Sequence, residues 1–168
     1  MGRSGSLTAK NDAKKARGEL DREVAPPMKL KVGDLEDFNP VSKLIDEKKS
    51  LKLSDDQLAK LKEQRSALEQ ANKPLLEKFD SLRVVLRPLP HPTDEDNVRQ
   101  VIARDELGVM MRSLRASYAA AEPAAMAVLD DTQKATAKDL LAAQAKETDE
   151  TLRSKMGGGR MGRPPGRP

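Results

Sequence analysis

The sequence predicts an all-α protein: a long, kinked helical hairpin with short flanking helices and disordered N- and C-terminal tails. Only 2% of the residues are aromatic, so any core must be built from Leu, Val, Ile, Met and Ala, which suits packed helices. Between residues 37 and 153, apolar residues recur every three or four positions, which is typical of amphipathic helices. Three prolines within residues 88–92 interrupt this pattern and predict the turn of the hairpin.

The charge distribution divides the chain into three parts. Residues 1–36 carry 8 basic and 6 acidic side chains, residues 37–152 carry 18 and 21, and residues 153–168 carry 5 and none. We therefore expect a mobile N-terminal arm over residues 1–36, a helical domain over 37–153 and a disordered Gly/Pro/Arg-rich tail over 154–168. Because the helical domain is slightly acidic, it predicts no specific nucleic-acid binding. No run of residues approaches the ~20 apolar positions of a membrane span.

A short helix is expected to open the helical domain. Asn39 is a good N-cap, and Pro40 suits the first helical position, where its missing N–H costs nothing. The helix should end near Leu51. Its apolar side consists of Val41, Leu44 and Ile45.

The string LSDDQ, at residues 53–57, marks the start of the first long helix. Ser54 is a good N-cap, and the side chain of Gln57, three residues on, can reach back to the backbone N–H of the cap. The two residues therefore predict a capping box. Leu53 can pack on Leu58 as a hydrophobic staple, which fixes how the chain enters the helix.

A looser copy of this string, LDDTQ, occupies residues 129–133 and precedes the last helix. Asp130 is the cap and Gln133 closes the second capping box. Leu129 precedes the cap as Leu53 does, but the staple partner would be Lys134, so this copy is weaker. The last helix should run from Asp131 to about Arg153. It should bury Ala137, Leu140, Leu141, Ala145 and Leu152.

The two arms of the hairpin are predicted from apolar residues spaced three or four positions apart. Arg65 and Asn72 fall on the apolar side of the first arm, where they could set the helix register or face a partner. Pro74 should kink this arm near Asn72, and Pro123 should kink the second arm. The apolar side of the first arm comprises Leu58, Leu61, Leu68, Leu75, Phe79 and Leu82. Thr93 caps the second arm, whose apolar side comprises Val98, Ile102, Leu107, Met110, Met111, Leu114, Tyr118, Ala121, Ala125 and Val128.

The residue inventory predicts no enzyme, no cofactor and no metal site. His91 is the only histidine and lies among prolines, and the chain contains no cysteine. No nucleophile and base are paired, and no Gly-rich phosphate loop follows a strand. Soft or imidazole ligands for a transition metal are therefore scarce.

The stretch NPVSKLIDEKKSLKLSDDQLAKLKEQRSALEQANKPLLEKFDSLR, together with LDDTQKATAKDLL, resembles the LTxxQ-motif proteins of the bacterial envelope, of the Spy/CpxP type. The resemblance covers roughly residues 38–153, and the two motifs lie 76 residues apart. It implies an all-α, cradle-shaped protein that dimerises through long antiparallel helices. The motif residues carried over, which we expect to close helix ends, are Leu53, Ser54, Gln57, Leu129, Asp130 and Gln133.

The resemblance implies an ATP-independent periplasmic chaperone, or an envelope-stress adaptor, that binds unfolded or partly folded proteins. A sensor kinase and a second copy of the chain are further implied partners. Since the N-terminus lacks the apolar centre of a secretory signal, a periplasmic location implies a mature or trimmed form. Two alternatives stay open: a metal-responsive periplasmic relative, and a helical scaffold or regulator that binds a partner helix. The candidate residues for partner or client contact are Arg65, Asn72, Arg112 and Arg115.

Overall fold

The computed structural model describes residues 28–156, which form five α-helices and no strand. The predicted all-α fold is confirmed. The helices are α1 (Val32–Glu36), α2 (Pro40–Asp46), α3 (Asp55–Val85), α4 (Asp94–Ala127) and α5 (Asp131–Lys155). None of these helices is long and apolar enough to cross a membrane.

Residues 28–36, assigned from the sequence to the N-terminal arm, belong to the folded core in the structure. Leu30 and Leu35 are completely buried. The backbone N–H of Lys29 donates to the carbonyl of Lys155 at 2.8 Å, and the Lys155 ammonium lies 2.6 Å from the Asp34 carboxylate. These contacts tie the start of the described chain to the end of α5. The rest of the predicted arm (1–27) and most of the predicted tail (157–168) lie outside the described residues.

The α3–α4 hairpin is the most extensive helix pair in the described part of the chain. Its two arms are each one continuous helix, so α3 continues through Pro74 and α4 through Pro123. Ser54 caps α3, and Thr93 caps α4 by accepting the backbone N–H of Asp96. Both predicted caps are present, and the Pro-rich segment between the arms contains no helix.

The connection between α2 and α3 ends in a left-handed residue. Regular α2 ends at Asp46, and helical turns continue to Leu51, the residue at which we expected the helix to stop. Lys52 has φ 52°, and the backbone N–H of Leu53 donates to the carbonyl of Lys48 at 3.0 Å. This bond pattern is that of a Schellman motif, which satisfies the last carbonyls of a helix. It leads the chain directly into the Ser54 cap.

Two apolar clusters form the core. One contains Leu30, Leu35, Phe79, Leu82, Leu107, Met110, Leu114 and Tyr118, among others. The other gathers around the helix starts and contains Val41, Leu44, Leu51, Leu61, Ala125, Leu129, Ala137 and Leu141, among others.

Three positions predicted to be apolar contacts are exposed instead. Val98 and Ile102 are 58% and 54% exposed. Near the turn of the hairpin α4 packs on α3 alone, so no third element covers these side chains. Ala145 of α5 is also exposed, and its neighbour Gln144 is buried.

Tyr118 connects the hairpin to the N-terminal segment. Its hydroxyl donates a hydrogen bond to the backbone carbonyl of Leu35 at 2.9 Å. Burial, together with the smaller effect of the negative charges of Glu36 and Glu69, raises the pKa of Tyr118 to about 12. A buried phenol that must stay neutral therefore holds α1 against α4.

Tyr118 is the only tyrosine and the chain has no tryptophan, so tyrosinate absorbance reports this one group. We expect its titration midpoint at about 12 in the folded protein and at the ordinary value of about 10 in denaturant. Because the folded-state pKa is the higher one, this group's contribution to stability is complete below pH about 10 and is lost as the pH rises through about 12. A folded-state midpoint near that of free tyrosine would contradict the buried, hydrogen-bonded phenol.

Candidate functional site: two capping boxes joined through their glutamines

Each of the two repeated strings forms the capping box that the sequence predicts. In the first, the Gln57 backbone N–H donates to Ser54 Oγ at 3.2 Å, and the Ser54 backbone N–H donates to Gln57 Oε1 at 3.0 Å. In the second, the Gln133 backbone N–H donates to Asp130 Oδ1 at 2.8 Å, and the Asp130 backbone N–H donates to Gln133 Oε1 at 2.9 Å. Both boxes satisfy backbone donors that a helix start would otherwise leave free.

The two glutamines also bind each other across 76 residues of sequence. Gln57 Nε2 donates to Gln133 Oε1 at 2.8 Å, and Gln133 Nε2 donates to Gln57 Oε1 at 3.1 Å. The helix starts of α3 and α5 therefore meet through a reciprocal amide pair.

Each amide also binds the turn that precedes the other helix. Gln57 Nε2 donates to the carbonyl of Val128 at 3.0 Å, just before the second motif. Gln133 Nε2 donates to the carbonyl of Leu51 at 3.1 Å and lies 3.4 Å from that of Lys52, just before the first motif. The arrangement has approximate two-fold character, since each glutamine makes the same three kinds of contact.

Glutamine is the side chain whose hydrogen-bonding groups match this site. Its oxygen accepts two bonds here, one from the backbone of its own cap and one from the other amide. Its two N–H groups donate to the other amide and to a carbonyl. A glutamate would bring no donor and an apolar residue neither donor nor acceptor. Because Gln133 is only 9% exposed, an unmet bond would leave a buried polar group unsatisfied.

Apolar side chains surround the amide pair. Leu51 and Leu129 are buried in the cluster at the helix starts, and Leu53 and Leu58 pack against it. The staple predicted for the first motif therefore has both members in one cluster. In the second motif Lys134 stands at the staple position and lies 3.5 Å from Asp131 at the surface. The site is a structural junction that joins two helix starts through hydrogen bonds and apolar contacts.

The four candidate contact residues occupy different environments. Asn72 is 3% exposed, and its Oδ1 accepts a 2.6 Å hydrogen bond from the Ser117 hydroxyl of α4. The helix that covers Asn72 is therefore α4 of the same chain. Arg65 lies half-buried beside Glu69, 3.4 Å away. Arg112 is exposed, and Arg115 forms an ion pair with Asp149 of α5 at 3.2 Å.

One protein-family model matches this chain. The model described as "LTXXQ motif family protein" matches residues 44–141, which is more than half of the sequence and includes both motifs. This chain belongs to the LTXXQ motif family. No curated protein and no solved structure matches it.

The structure shows a long-range pairing of the two motif glutamines that the sequence did not predict. We predicted a local role for each motif, closing its own helix end, and that role is present. The long-range pairing escaped that reasoning because a capping box is satisfied within four residues. The feature of the sequence that could have indicated the pairing is the repeated motif, which places a glutamine at the third helical position of both α3 and α5.

A double-mutant cycle tests the amide pair. We expect Gln57→Met and Gln133→Met each to lower the free energy of unfolding by about 2 kcal/mol, because each leaves the other amide and a carbonyl unsatisfied. The double variant should lose less than the sum, with a coupling of at least about 1 kcal/mol. Urea unfolding followed by far-UV circular dichroism measures the stability of the native chain, the two single variants and the double variant.

Gln70→Met, at an exposed position of α3, is the control and should change stability by less than about 0.5 kcal/mol. Additive costs would show that the glutamines act separately.

Proposed function

We propose that this LTXXQ-family chain is an ATP-independent periplasmic chaperone that holds unfolded proteins by non-enzymatic binding, without a cofactor. Membership of the LTXXQ motif family supports a chaperone-like role of this kind. The observation that carries it is a row of exposed apolar side chains on α4, here called the outer stripe. It consists of Val98, Val101, Ile102 and Val109.

The outer stripe lies on one side of α4, away from the core. Val98 is 58% exposed, and the three other members are each 54% exposed. They recur at three-, four- and seven-residue intervals, so they share one side of the helix. Buried Leu107, Met110 and Leu114 occupy the other side.

Exposed apolar rows of this kind mark interaction surfaces. Removing a Val or Ile side chain from water stabilises by about 1.5–3 kcal/mol when burial is complete, and the fold leaves these four largely uncovered. Contiguous exposed apolar surface is uncommon on monomeric soluble proteins and is typical of partner sites. Shallow contacts on a helix surface suit weak binding of many different apolar segments.

Cationic groups lie beside the stripe. Arg104 follows Val101 by three residues, and Arg112 follows Val109 by three, so both lie within one helical turn of a stripe residue. Neither arginine has an ion-pair partner among residues 28–156. Long-range attraction to acidic client segments would speed capture, and the apolar stripe would hold what is captured. Arg112, a candidate contact residue from the sequence, keeps this role in the proposal.

An aggregation assay tests the proposed function. We expect the purified chain to suppress aggregation of a chemically denatured client without ATP. The triple variant Val98→Thr, Val101→Thr, Val109→Thr keeps the side-chain shape and reduces the apolar character. It should need several-fold more protein for the same protection, because the stripe no longer holds apolar segments. Light scattering measures protection.

The matched control is the double variant Val84→Thr, Val85→Thr, which changes exposed valines of α3 outside the stripe. It should protect as well as the native chain. If the native chain gives no protection at several-fold molar excess, the chaperone proposal fails. Equal loss in the triple and double variants would show that the stripe is not the binding surface.

We also propose that a second copy of the chain pairs with the outer stripe in antiparallel orientation. Alternating four- and three-residue steps, the spacing of a two-helix interface, connect Val98, Ile102, Asp105, Val109 and Arg112. Parallel pairing would place Asp105 opposite Asp105 and Arg112 opposite Arg112. Antiparallel pairing places Asp105 of one copy opposite Arg112 of the other, which favours that orientation. Clients and the second copy would then compete for one surface.

Cysteine cross-linking tests this orientation, because the chain has no native cysteine. Antiparallel pairing of Asp105 with Arg112 brings the two copies of residue 109 together and separates the two copies of residue 98 by about 30 Å. Val109→Cys should therefore cross-link efficiently under mild oxidation, and Val98→Cys should not. Non-reducing gels and sedimentation velocity measure the two outcomes. A monomer at high concentration, or preferential cross-linking through Val98→Cys, would contradict the proposal.

The other implied roles stay predictions. Residues 28–156 contain no group of three or more His, Cys, Asp or Glu side chains arranged to hold a metal ion, so no observation favours the metal-responsive alternative. No observation favours the sensor-kinase adaptor or the scaffold either. The scaffold was expected to bind a partner helix beside Arg65 and Asn72, where the structure places α4.

A further inference from the structure

A cleft separates α4 from α5. The two helices make almost no direct backbone contact, and α5 is held instead by α2 and by the N-terminal segment. The cleft between them has a volume of about 300 Å³, with Phe38 and the first residue of α2, Pro40, among its lining residues. An apolar cavity of about 150 Å³ is enough for one benzene ring. This cleft therefore has room for a fused pair of rings and is too small for a helix.

The lining from α4 is apolar and partly aromatic. Met111, Leu114 and Tyr118 line the cleft from that helix, and Leu141 and Ala145 line it from α5. The Tyr118 hydroxyl is already committed to the Leu35 carbonyl at 2.9 Å, so Tyr118 offers the cleft its ring. Aromatic rings pack well on one another, and thioethers make favourable contacts with ring edges. The lining thus favours an aromatic occupant.

One polar group in the cleft has an unused acceptor. Gln144 is only 9% exposed, and its Nε2 donates to the carbonyls of Asp37 at 2.9 Å and Asn39 at 3.3 Å. These two carbonyls fix which end of the amide is nitrogen. Gln144 lines the cleft, and its Oε1 receives no hydrogen bond from residues 28–156 and is not fully buried. An occupant with one N–H donor would satisfy this oxygen, whereas a purely apolar occupant would leave it unmet.

The rim of the cleft disfavours an anionic occupant. Arg115 and Asp149 neutralise each other in an ion pair of 3.2 Å that joins α4 to α5. Glu122 also lines the cleft and has no ion-pair partner in the described part of the chain. The remaining rim charge is therefore negative. Because an exposed ion pair contributes little to stability, the Arg115–Asp149 pair can open to admit a side chain.

We propose that this cleft binds the tryptophan side chain of an unfolded client, with the indole rings between α4 and α5 and the indole N–H donated to Gln144 Oε1. Indole combines the two properties that the cleft selects: a fused pair of aromatic rings and a single donor. A basic residue next to the tryptophan in the client would meet the Glu122 carboxylate. This inference rests on the proposed holding of unfolded proteins and names the side chain that one site recognises.

Fluorescence provides a direct test, because the chain contains no tryptophan and all indole emission comes from the ligand. The probe is the capped peptide Gly-Trp-Lys-Gly, titrated with the full chain. We expect a saturable blue shift of emission with a dissociation constant of about 1 mM or below. The same peptide with benzothienylalanine keeps the ring shape and lacks the N–H. As a competitor it should bind about 3- to 10-fold more weakly.

Two variants locate the binding. Ala145→Leu narrows the cleft and should abolish the blue shift, whereas Ala143→Leu, at an exposed position of α5 outside the cleft, should leave it unchanged. No saturation up to about 10 mM peptide, equal binding of the two peptides, or an unaffected Ala145→Leu variant would overturn the inference. If the native chain still suppresses aggregation in any of these cases, the proposed function stands without this site. If it gives no protection, the proposed function fails on its own assay.

Discussion

The fold depends on one pair of hydrogen bonds between Gln57 and Gln133. These side chains connect the starts of two long helices that are 76 residues apart, and each also holds the turn that precedes the other helix. A helix start has free backbone donors, and a turn has free carbonyls, so a junction of two starts and two turns would otherwise bury several unsatisfied groups. Two amides satisfy them because an amide is both donor and acceptor. Repeated glutamines in a helix-capping position are thus a means of joining helices.

The rest of the molecule extends from this junction. The short α2 and the apolar residues around the helix starts pack at one end, and the α3–α4 hairpin extends from it. Far from the junction α4 has only α3 as a neighbour, which leaves Val98, Val101 and Ile102 in water. Between α4 and α5 the N-terminal segment takes the place of direct helix contact, and the cleft beside Gln144 results. The exposed stripe is a consequence of a hairpin longer than the elements that cover it, and the cleft is a consequence of the N-terminal segment between α4 and α5.

The chain has two phenylalanines and one tyrosine, and in the structure each of them packs between different elements of the fold. Phe79 is completely buried in the larger cluster, and Tyr118 joins α4 to α1 through its hydroxyl. Phe38 lies at the cleft, half-buried. The remaining core is aliphatic, and small or flexible side chains such as Ala125 and Met110 fill it. Such a core needs hydrogen bonds between its elements to select one arrangement, because aliphatic packing alone tolerates several. These hydrogen bonds come from the side-chain amides of Gln57, Asn72, Gln133 and Gln144.

The sequence by itself determined the helical class, the caps at Asn39, Ser54, Thr93 and Asp130, and the Pro-rich turn, because each depends on residues within a few positions of one another. It did not determine that Leu30 and Leu35 belong to the core, that Val98 and Ile102 are exposed, or that Asn72 faces Ser117. Periodicity identifies the apolar side of a helix but not which part of that side another element covers. The pairing of Gln57 with Gln133 and the free oxygen of Gln144 were likewise decided only by tertiary structure, since hydrogen bonds across 76 or 105 residues leave no local pattern.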